Sequence, residues 1–186
     1  MGKFIVGVLV GFFLIAVFAF GYFSLGFAPA ATTAPPMPFE KRMAKMALRA
    51  RIKKEMPNGA AIPASEANLL AGADLYKHDC AVCHGLPGEK KPSNIAYGMF
   101  PKPPQLFEHG VTDDPVGETY WKVANGIRLT GMPGFKGSVS EDALWQVSLL
   151  LVNADKLPVS VLNALNQPLT PVAPPASDMQ KLPLTK

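Results

Sequence analysis

The chain has 186 residues, enough for one domain with extensions, and its formal net charge is +4. That charge is uneven: residues 36–56 carry seven basic and two acidic side chains (+5), and residues 65–156 carry eight basic and eleven acidic ones (−3). The part able to form a core is mildly acidic, which argues against nucleic-acid binding. The nineteen prolines are clustered and indicate linkers rather than a second domain.

The amino-terminal segment is long and apolar. Residues 4–27 contain no charged side chain, and a hydrocarbon core is crossed by about 20 helical residues. We therefore predict an uncleaved transmembrane anchor over residues 1–28. Residues 28–30 could pass for a signal-peptide cleavage site, although the proline fits poorly and the apolar stretch exceeds that of a cleaved signal.

A linker with a basic helix is predicted over residues 29–64. Residues 28–38 are rich in Ala, Pro and Thr, and residues 39–56 then show helical periodicity before a Pro-Asn-Gly turn. Two interpretations stay open: a solvated helix packed on the next domain, or a helix lying on anionic lipid headgroups or an acidic partner subunit. The apolar side of this helix consists of Phe39, Met43, Met46 and Ala47.

A chemical motif follows the next predicted helix, which Ser65 caps and which runs from Glu66 to about His78. Residues 80–84 read Cys-Ala-Val-Cys-His, the C-x-x-C-H attachment pattern of a c-type haem. The two thiols can each add to one haem vinyl group, and His84 then supplies the proximal imidazole. Cys80 and Cys83 are the only cysteines in the chain, so one covalent haem c is predicted.

Other uses of this motif fit less well. A thioredoxin-like pair would follow a strand, whereas a helical run precedes Cys80. A structural zinc ion needs four ligands, and adjacent Cys83 and His84 are poorly placed to share one tetrahedral ion. A disulfide across two intervening residues closes too small a loop to stabilise the chain much.

The stretch AGADLYKHDCAVCHG resembles the first helix and haem loop of class I c-type cytochromes. The resemblance implies an all-α fold, with a small haem domain of about three main helices and loops over residues 65–156, preceded by the transmembrane helix. It also implies that Gly72 lets the last helix cross closely, with Trp145 as the matching aromatic residue. The alternative is a tolerated surface glycine.

The region after the motif is expected to form one wall of the haem site. Residues 85–104 are a proline-rich loop without periodicity, and in similar cytochromes such a loop covers the porphyrin, which makes Pro104 a candidate; a plain surface turn is the alternative. A helix is predicted from Pro115 to Asn125, ending at Gly126. Trp121, beside its apolar face, is a further candidate cofactor contact.

The stretch NGIRLTGMPGF is similar to the axial-methionine loop of monohaem class I cytochromes. The resemblance implies that Met132 is the sixth iron ligand and that Arg128 pairs with a haem propionate. Gly131 and Gly134 would let the backbone pass close to the macrocycle. Rival sixth ligands are Met99 and the histidines at positions 78 and 109.

The last predicted helix runs from Glu141 to about Asn153 and is capped by Ser140. Residues 157–186 are a proline-rich tail with almost no periodicity. The apolar stripe of the helix is made of Leu144, Val147, Ser148, Leu151 and Val152.

These residues predict a function in one-electron transfer. Histidine and methionine together saturate the iron and leave no position for oxygen, peroxide or a small-molecule substrate, so the protein is not expected to be an enzyme by itself. We expect a membrane-anchored subunit of a respiratory or photosynthetic complex, with protein donor and acceptor. The alternatives are a tethered carrier between a quinol-oxidising complex and a terminal oxidase, or a five-coordinate peroxidase.

The side of the membrane is predicted from two opposing arguments. The positive-inside rule alone would put the carboxyl-terminal side in the cytoplasm, because seven basic residues follow the span within residues 41–54. Haem c attachment in bacteria takes place on the opposite side, and the basic run begins over a dozen residues beyond the span. We therefore predict a single-pass protein of the bacterial cytoplasmic membrane with its haem domain on the periplasmic side.

Overall fold

The computed structural model describes residues 1–89 and 91–168, and these are all-helical, as the sequence predicts. They contain no β-strand, only one isolated bridge between Lys136 and Val139. The helices are α1 (Gly2–Ser24), α2 (Glu40–Glu55), α3 (Glu66–Leu75), α4 (Ala81–His84), α5 (Asn94–Gly98), α6 (Val116–Asn125), α7 (Glu141–Val152) and α8 (Val159–Asn166), with a π-helical segment (Tyr76–Cys80) between α3 and α4.

Helix α1 is long and apolar enough to cross a membrane. By length and composition it is the one such helix in the described part of the chain. The predicted anchor is therefore a continuous helix, beginning and ending a few residues earlier than the uncharged stretch itself.

The predicted caps of the main helices are confirmed. The hydroxyl of Ser65 accepts a hydrogen bond from the Asn68 N–H at 3.3 Å, and that of Ser140 accepts one from the Ala143 N–H at 3.2 Å. Each bond satisfies one of the amide donors left free at a helix start. Local sequence thus sets where α3 and α7 begin.

The core forms where α3 crosses α7. A Cβ atom at Gly72 would collide with the carbonyl of Gln146, so only glycine permits this approach and the predicted close crossing is confirmed. Tyr76, Val147 and Leu150 are fully buried around the crossing.

Helix α6 packs against the other side of α7. The rings of Tyr120 and Trp145 stack with centroids 4.0 Å apart and an interplanar angle of 18°. Trp145 is buried, in keeping with its expected role as the aromatic residue of the last helix. Offset stacking of this kind adds about 0.5–1.5 kcal/mol beyond area burial.

The segment after α7 was predicted to be a tail without regular structure from residue 157 onward, but it contains the helix α8. Helix α8 packs against α3 and buries Val161 and Leu165, which lie one helical turn apart. Lys77 Nζ also donates to the carbonyl of Ala164 at 2.9 Å. A helix of eight residues with two buried positions has too short a hydrophobic pattern to be recognised in the sequence. The remainder of the predicted tail, residues 169–186, lies outside the described residues.

Helix α2 is joined to α6 by its carboxyl-terminal half. Ile52 is buried, and Trp121 Nε1 donates to Glu55 Oε2 at 3.1 Å. A Cβ atom at Gly117 in α6 would collide with the carbonyl of Pro57. The basic helix is therefore packed on the haem-motif domain at one end.

Candidate cofactor site

A single wide turn delivers the C-x-x-C-H motif. The Ala81 N–H donates to the carbonyl of Tyr76, five residues back, where a regular α-helix would pair residues four apart. The prediction of a plain helix to His78 missed this turn, for which the sequence carries no clear signal. It is stabilised by the buried Tyr76 hydroxyl, which donates to the Gly85 carbonyl at 2.7 Å.

The two cysteines lie half-buried at this turn as free thiols. Burial, together with smaller effects of the nearby Asp79 carboxylate and of Cys83, raises the pKa of the Cys80 thiol to about 12. Cys80 therefore keeps its proton at neutral pH. Both cysteines line the same cleft, and their spacing in the sequence is that of covalent haem attachment.

The imidazole of His84 is held in one tautomer. Its Nδ1 lies 2.8 Å from the carbonyl oxygen of Pro104, which can only accept a hydrogen bond. Nδ1 must carry the proton, so the lone pair of Nε2 is available to a metal. Burial lowers the pKa of His84, an effect that the Pro104 hydrogen bond opposes, and the lowered pKa favours the neutral ring that a metal ligand needs.

Two further hydrogen bonds join the backbone at the end of the motif to the segment that follows Pro104. Gln105 Nε2 donates to the Cys83 carbonyl at 3.2 Å, and the Leu106 N–H donates to the His84 carbonyl at 3.2 Å. A Cβ atom at Gly85 would collide with the Gln105 side chain. Sequence reasoning missed Gln105, because nothing in its surroundings distinguishes it from a surface glutamine.

One apolar cleft receives the motif. Its empty volume is about 790 Å³, part of which is open to solvent. Two charged residues, Asp79 and Lys102, join the lining. The remaining walls are the motif residues and apolar or small side chains: Cys80, Cys83, His84, Met99, Pro101, Pro103, Pro104, Leu106, Val123, Ile127, Thr130, Gly131, Met132, Pro133, Phe135 and Leu151.

The loop that carries Met132 folds back on the end of α6. Gly126 has φ of +67°, and a Cβ atom there would lie 2.5–2.8 Å from the main chain of residues 132–134. The Met132 N–H donates to Thr130 Oγ1 at 3.1 Å, and the Ile127 N–H donates to the Met132 carbonyl at 3.2 Å. Met132 is therefore fixed by backbone contacts on both sides.

The glycines of this loop are closely packed against the protein, and Gly131 also lines the cleft. A Cβ atom at Gly134 would lie 2.7–3.0 Å from the main chain of Ala124 and Asn125, and one at Gly131 would lie 2.9 Å from the sulfur of Met99. Both glycines thus allow close packing within the protein.

The remaining candidate residues are divided between the cleft and other surfaces. Met99 lines the cleft together with Met132, whereas His78 and His109 do not. Arg128 is exposed on the loop that carries Met132. It forms no ion pair with any described residue and does not line the cleft. Trp121 lies apart from the lining, turned toward Glu55 of α2.

The donor set and the walls together fit a haem. Two thiols, one imidazole with a free Nε2 and a thioether all face one apolar cleft, which matches the chemistry of covalent haem attachment with nitrogen and sulfur axial ligands. Among the described residues there is no cluster of three or more His, Cys, Asp or Glu side chains that would hold a metal ion without a porphyrin.

The chain is similar to known proteins in one stretch of its sequence and, more weakly, in its structure. Residues 67–149 match the family described as cytochrome c oxidase, cbb3-type, subunit III. A chain of the reducing HAO-like protein complex of Kuenenia stuttgartiensis is similar in structure, with 21% sequence identity and a TM-score of 0.44. The match covers 66% of this chain and 52% of that one. No curated protein matches the chain by sequence.

Proposed function

We propose that residues 67–149, which match the family described as cytochrome c oxidase, cbb3-type, subunit III, form a cytochrome c domain, and that the chain carries single electrons through one haem c. Cys80 and Cys83 would hold the haem through thioether bonds. His84 and Met132 would be its axial ligands. A bound haem supplies a one-electron couple between ferric and ferrous iron.

The protein residues would act mainly by holding and shielding the cofactor. The Pro104 carbonyl keeps His84 in its ligating tautomer, and its hydrogen bond makes the imidazole a stronger base. The apolar walls would limit the access of water, and a thioether ligand would favour the ferrous state. With His84 and Met132 both bound to the iron, no position would remain open for a substrate, which supports electron transfer rather than catalysis.

The observation that carries this proposal is the shared cleft of His84 and Met132. The two residues are 48 positions apart in the sequence, yet they line one apolar cavity together with both thiols. The lining contains no carboxylate pair, since Asp79 is its one acidic residue.

The cellular role that we propose is that of a membrane-anchored subunit of a larger electron-transfer complex. The family name supports it, because it denotes a subunit of an oxidase. The apolar α1 helix supports attachment to a membrane, and haem c chemistry supports a periplasmic location in a bacterium. Donor and acceptor would be other protein subunits.

Replacement of Met132 tests the ligand assignment. We expect Met132→Ala to abolish the long-wavelength iron–sulfur absorption band of the oxidised protein and to lower its reduction potential, because a thioether ligand is lost. Met99→Ala is the matched control, since Met99 lines the same cleft, and it should keep the band.

Two results would contradict the proposal. A band that survives in Met132→Ala but not in Met99→Ala would transfer the sixth ligand to Met99. A pyridine haemochrome spectrum of the wild-type chain without covalent haem would remove the function itself. Carbon monoxide binding by the reduced wild-type protein at neutral pH would indicate a five-coordinate iron and a peroxidase-like activity instead.

A further inference from the structure

The apolar side of α2 faces away from the domain on which α2 is packed. Phe39, Met43 and Met46 are 73%, 58% and 57% exposed, whereas Ile52 is 3% exposed. Nine residues separate Met43 from Ile52, which is about two and a half helical turns, so the two side chains lie on opposite sides of the helix. The contact with α6 therefore leaves the methionine side uncovered.

This exposed side is edged with positive charge. Arg42, Arg49 and Lys53 lie along one border of the apolar stripe, and Lys54 lies along the other, by helical position. The one salt bridge within α2 among the described residues joins Arg51 and Glu55 at 2.7 Å, away from the stripe. The bordering cations thus remain available to an external anion.

Helix α2 also lies close in sequence to the apolar helix α1. Residues 25–39 separate the two helices, and a chain of this length spans about 50 Å at most. A membrane that holds α1 would therefore be within reach of α2. A helix with an apolar stripe bordered by Lys and Arg has the form that lies in the headgroup region of a bilayer.

We propose that the side of α2 formed by Phe39, Met43, Met46 and Ala50 binds the surface of a membrane containing anionic lipid. The apolar side chains enter the boundary between headgroups and acyl chains, and Arg42 and Arg49 pair with the lipid phosphates. A membrane containing anionic lipid accommodates both the apolar stripe and the cations that border it.

Docking of α2 would also orient the cofactor domain. The Ile52 contact and the Trp121–Glu55 hydrogen bond attach α2 to α6, and Lys41 Nζ lies 5.9 Å from the ring centroid of Phe100, beside the cleft. Helix α2 is thus packed on the domain by its carboxyl-terminal half, and the Lys41 side chain extends toward the domain from its other end. The proposal goes beyond electron transfer, because it concerns how the cleft is held at the membrane and holds for any cofactor.

Cysteine alkylation tests the proposal on the full chain. Ala50 is exposed in the middle of the stripe, and we would reconstitute Ala50→Cys in phosphatidylcholine vesicles with or without phosphatidylglycerol. The rate of modification by an uncharged polyethylene-glycol maleimide is followed by the mass shift. We expect modification to slow by at least about fivefold when the anionic lipid is present.

Two controls separate docking from other effects. In Ala50→Cys combined with Arg42→Gln and Arg49→Gln, the rate should return to that seen in phosphatidylcholine alone, because each basic residue near an anionic surface contributes about fivefold to binding. Asn163→Cys on α8, which is exposed and remote in sequence from α2, should react equally in both vesicles. An unchanged absorption spectrum verifies that each variant is folded.

The outcomes are distinct. A modification rate of Ala50→Cys that does not depend on phosphatidylglycerol overturns the proposal. If the modification of Ala50→Cys were slow in native membranes but not in vesicles with phosphatidylglycerol, the proposal would also be overturned, and a protein partner would be indicated. Neither result depends on electron transfer, so this proposal and the proposed function can fail separately.

Discussion

Gly126 and Gly137 share a left-handed backbone but differ in their surroundings. Their φ angles are +67° and +93°, yet a Cβ atom at Gly126 would collide with the Met132 loop while one at Gly137 would meet nothing within 4 Å. We expect Gly137→Ala to cost only the backbone strain of about 1–2 kcal/mol. Gly126→Ala should cost more and should also weaken the iron–sulfur absorption band.

Urea unfolding and the absorption spectrum of both variants check this expectation. Gly137→Ala is the matched control for strain without crowding. If Gly126→Ala kept both its stability and a full band, the loop would not depend on the close contact at the end of α6.

Tyr76 makes stability depend on alkaline pH. Burial raises its pKa above the ordinary value of 10.0, and Cys80 and Glu89 raise it further. The unfolded chain therefore loses the phenol proton first, so the stabilising contribution is complete below about pH 10 and declines as the pH rises further. We expect the free energy of unfolding in urea to fall between about pH 9 and about pH 11.

Tyr76→Phe is the control for this pH dependence. It should lose about 1–3 kcal/mol at neutral pH, because the Gly85 carbonyl is left unpaired. Its stability should then decline less than that of the wild type over the alkaline range. Parallel declines in the two proteins would assign the effect to other groups.

Single residues of the candidate site could be predicted where they belong to a recognisable sequence motif. Cys80, Cys83 and His84 were identified from the spacing of their motif, and Met132 from the resemblance of its loop. The structure brings all four to one cleft. Gln105 could not be identified, because its importance comes from a contact with the Cys83 carbonyl formed only in the folded chain. Trp121 was proposed from its position on α6, but its indole faces α2.

Among the helices, the crossing of α3 and α7 depends on one absent side chain. Gly72→Ala would place a Cβ atom against the carbonyl of Gln146 and force the two helices apart. We expect a loss of about 1–3 kcal/mol in the free energy of unfolding, as for other overpacked cores, despite the better helix propensity of alanine. Urea unfolding followed by circular dichroism measures it.

Gly98→Ala is the matched control for this substitution. Gly98 ends α5, and a Cβ atom there would meet nothing within 4 Å. This variant should lose no stability. An equal effect of the two substitutions would show that the crossing adjusts without cost.

Helix boundaries were predictable where a cap marks them, and less so where packing decides. Ser65 and Ser140 define the starts of α3 and α7 within the chain. The short α8 carries no capping side chain and becomes helical against α3, through buried Val161 and Leu165. Tertiary contacts of this kind leave little periodicity in the sequence.

For the whole molecule, the exposed surfaces favour assembly in a membrane. The apolar helix α1 has no residue buried in the described chain, and the stripe on α2 is exposed as well. We expect a mild non-ionic detergent to release the protein from native membranes together with companion chains. Native gel electrophoresis with haem staining, followed by identification of the co-migrating chains, measures this association.

A denaturing detergent serves as the control and should release the haem-stained chain alone. If the chain already migrated alone after mild extraction, it would be a tethered carrier and not a fixed subunit. Electron transfer through the cofactor domain would stand in both cases.

The wide turn between Tyr76 and Cys80 has a consequence for how related chains are aligned. Its hydrogen bond encloses one residue more than a regular turn, so this interval accommodates one residue more than an α-helix does. Chains that differ by one residue in this interval can therefore share the same three-dimensional arrangement of glycine and thiols. A gap at this point in an alignment would mark a change in this turn, not a different kind of protein.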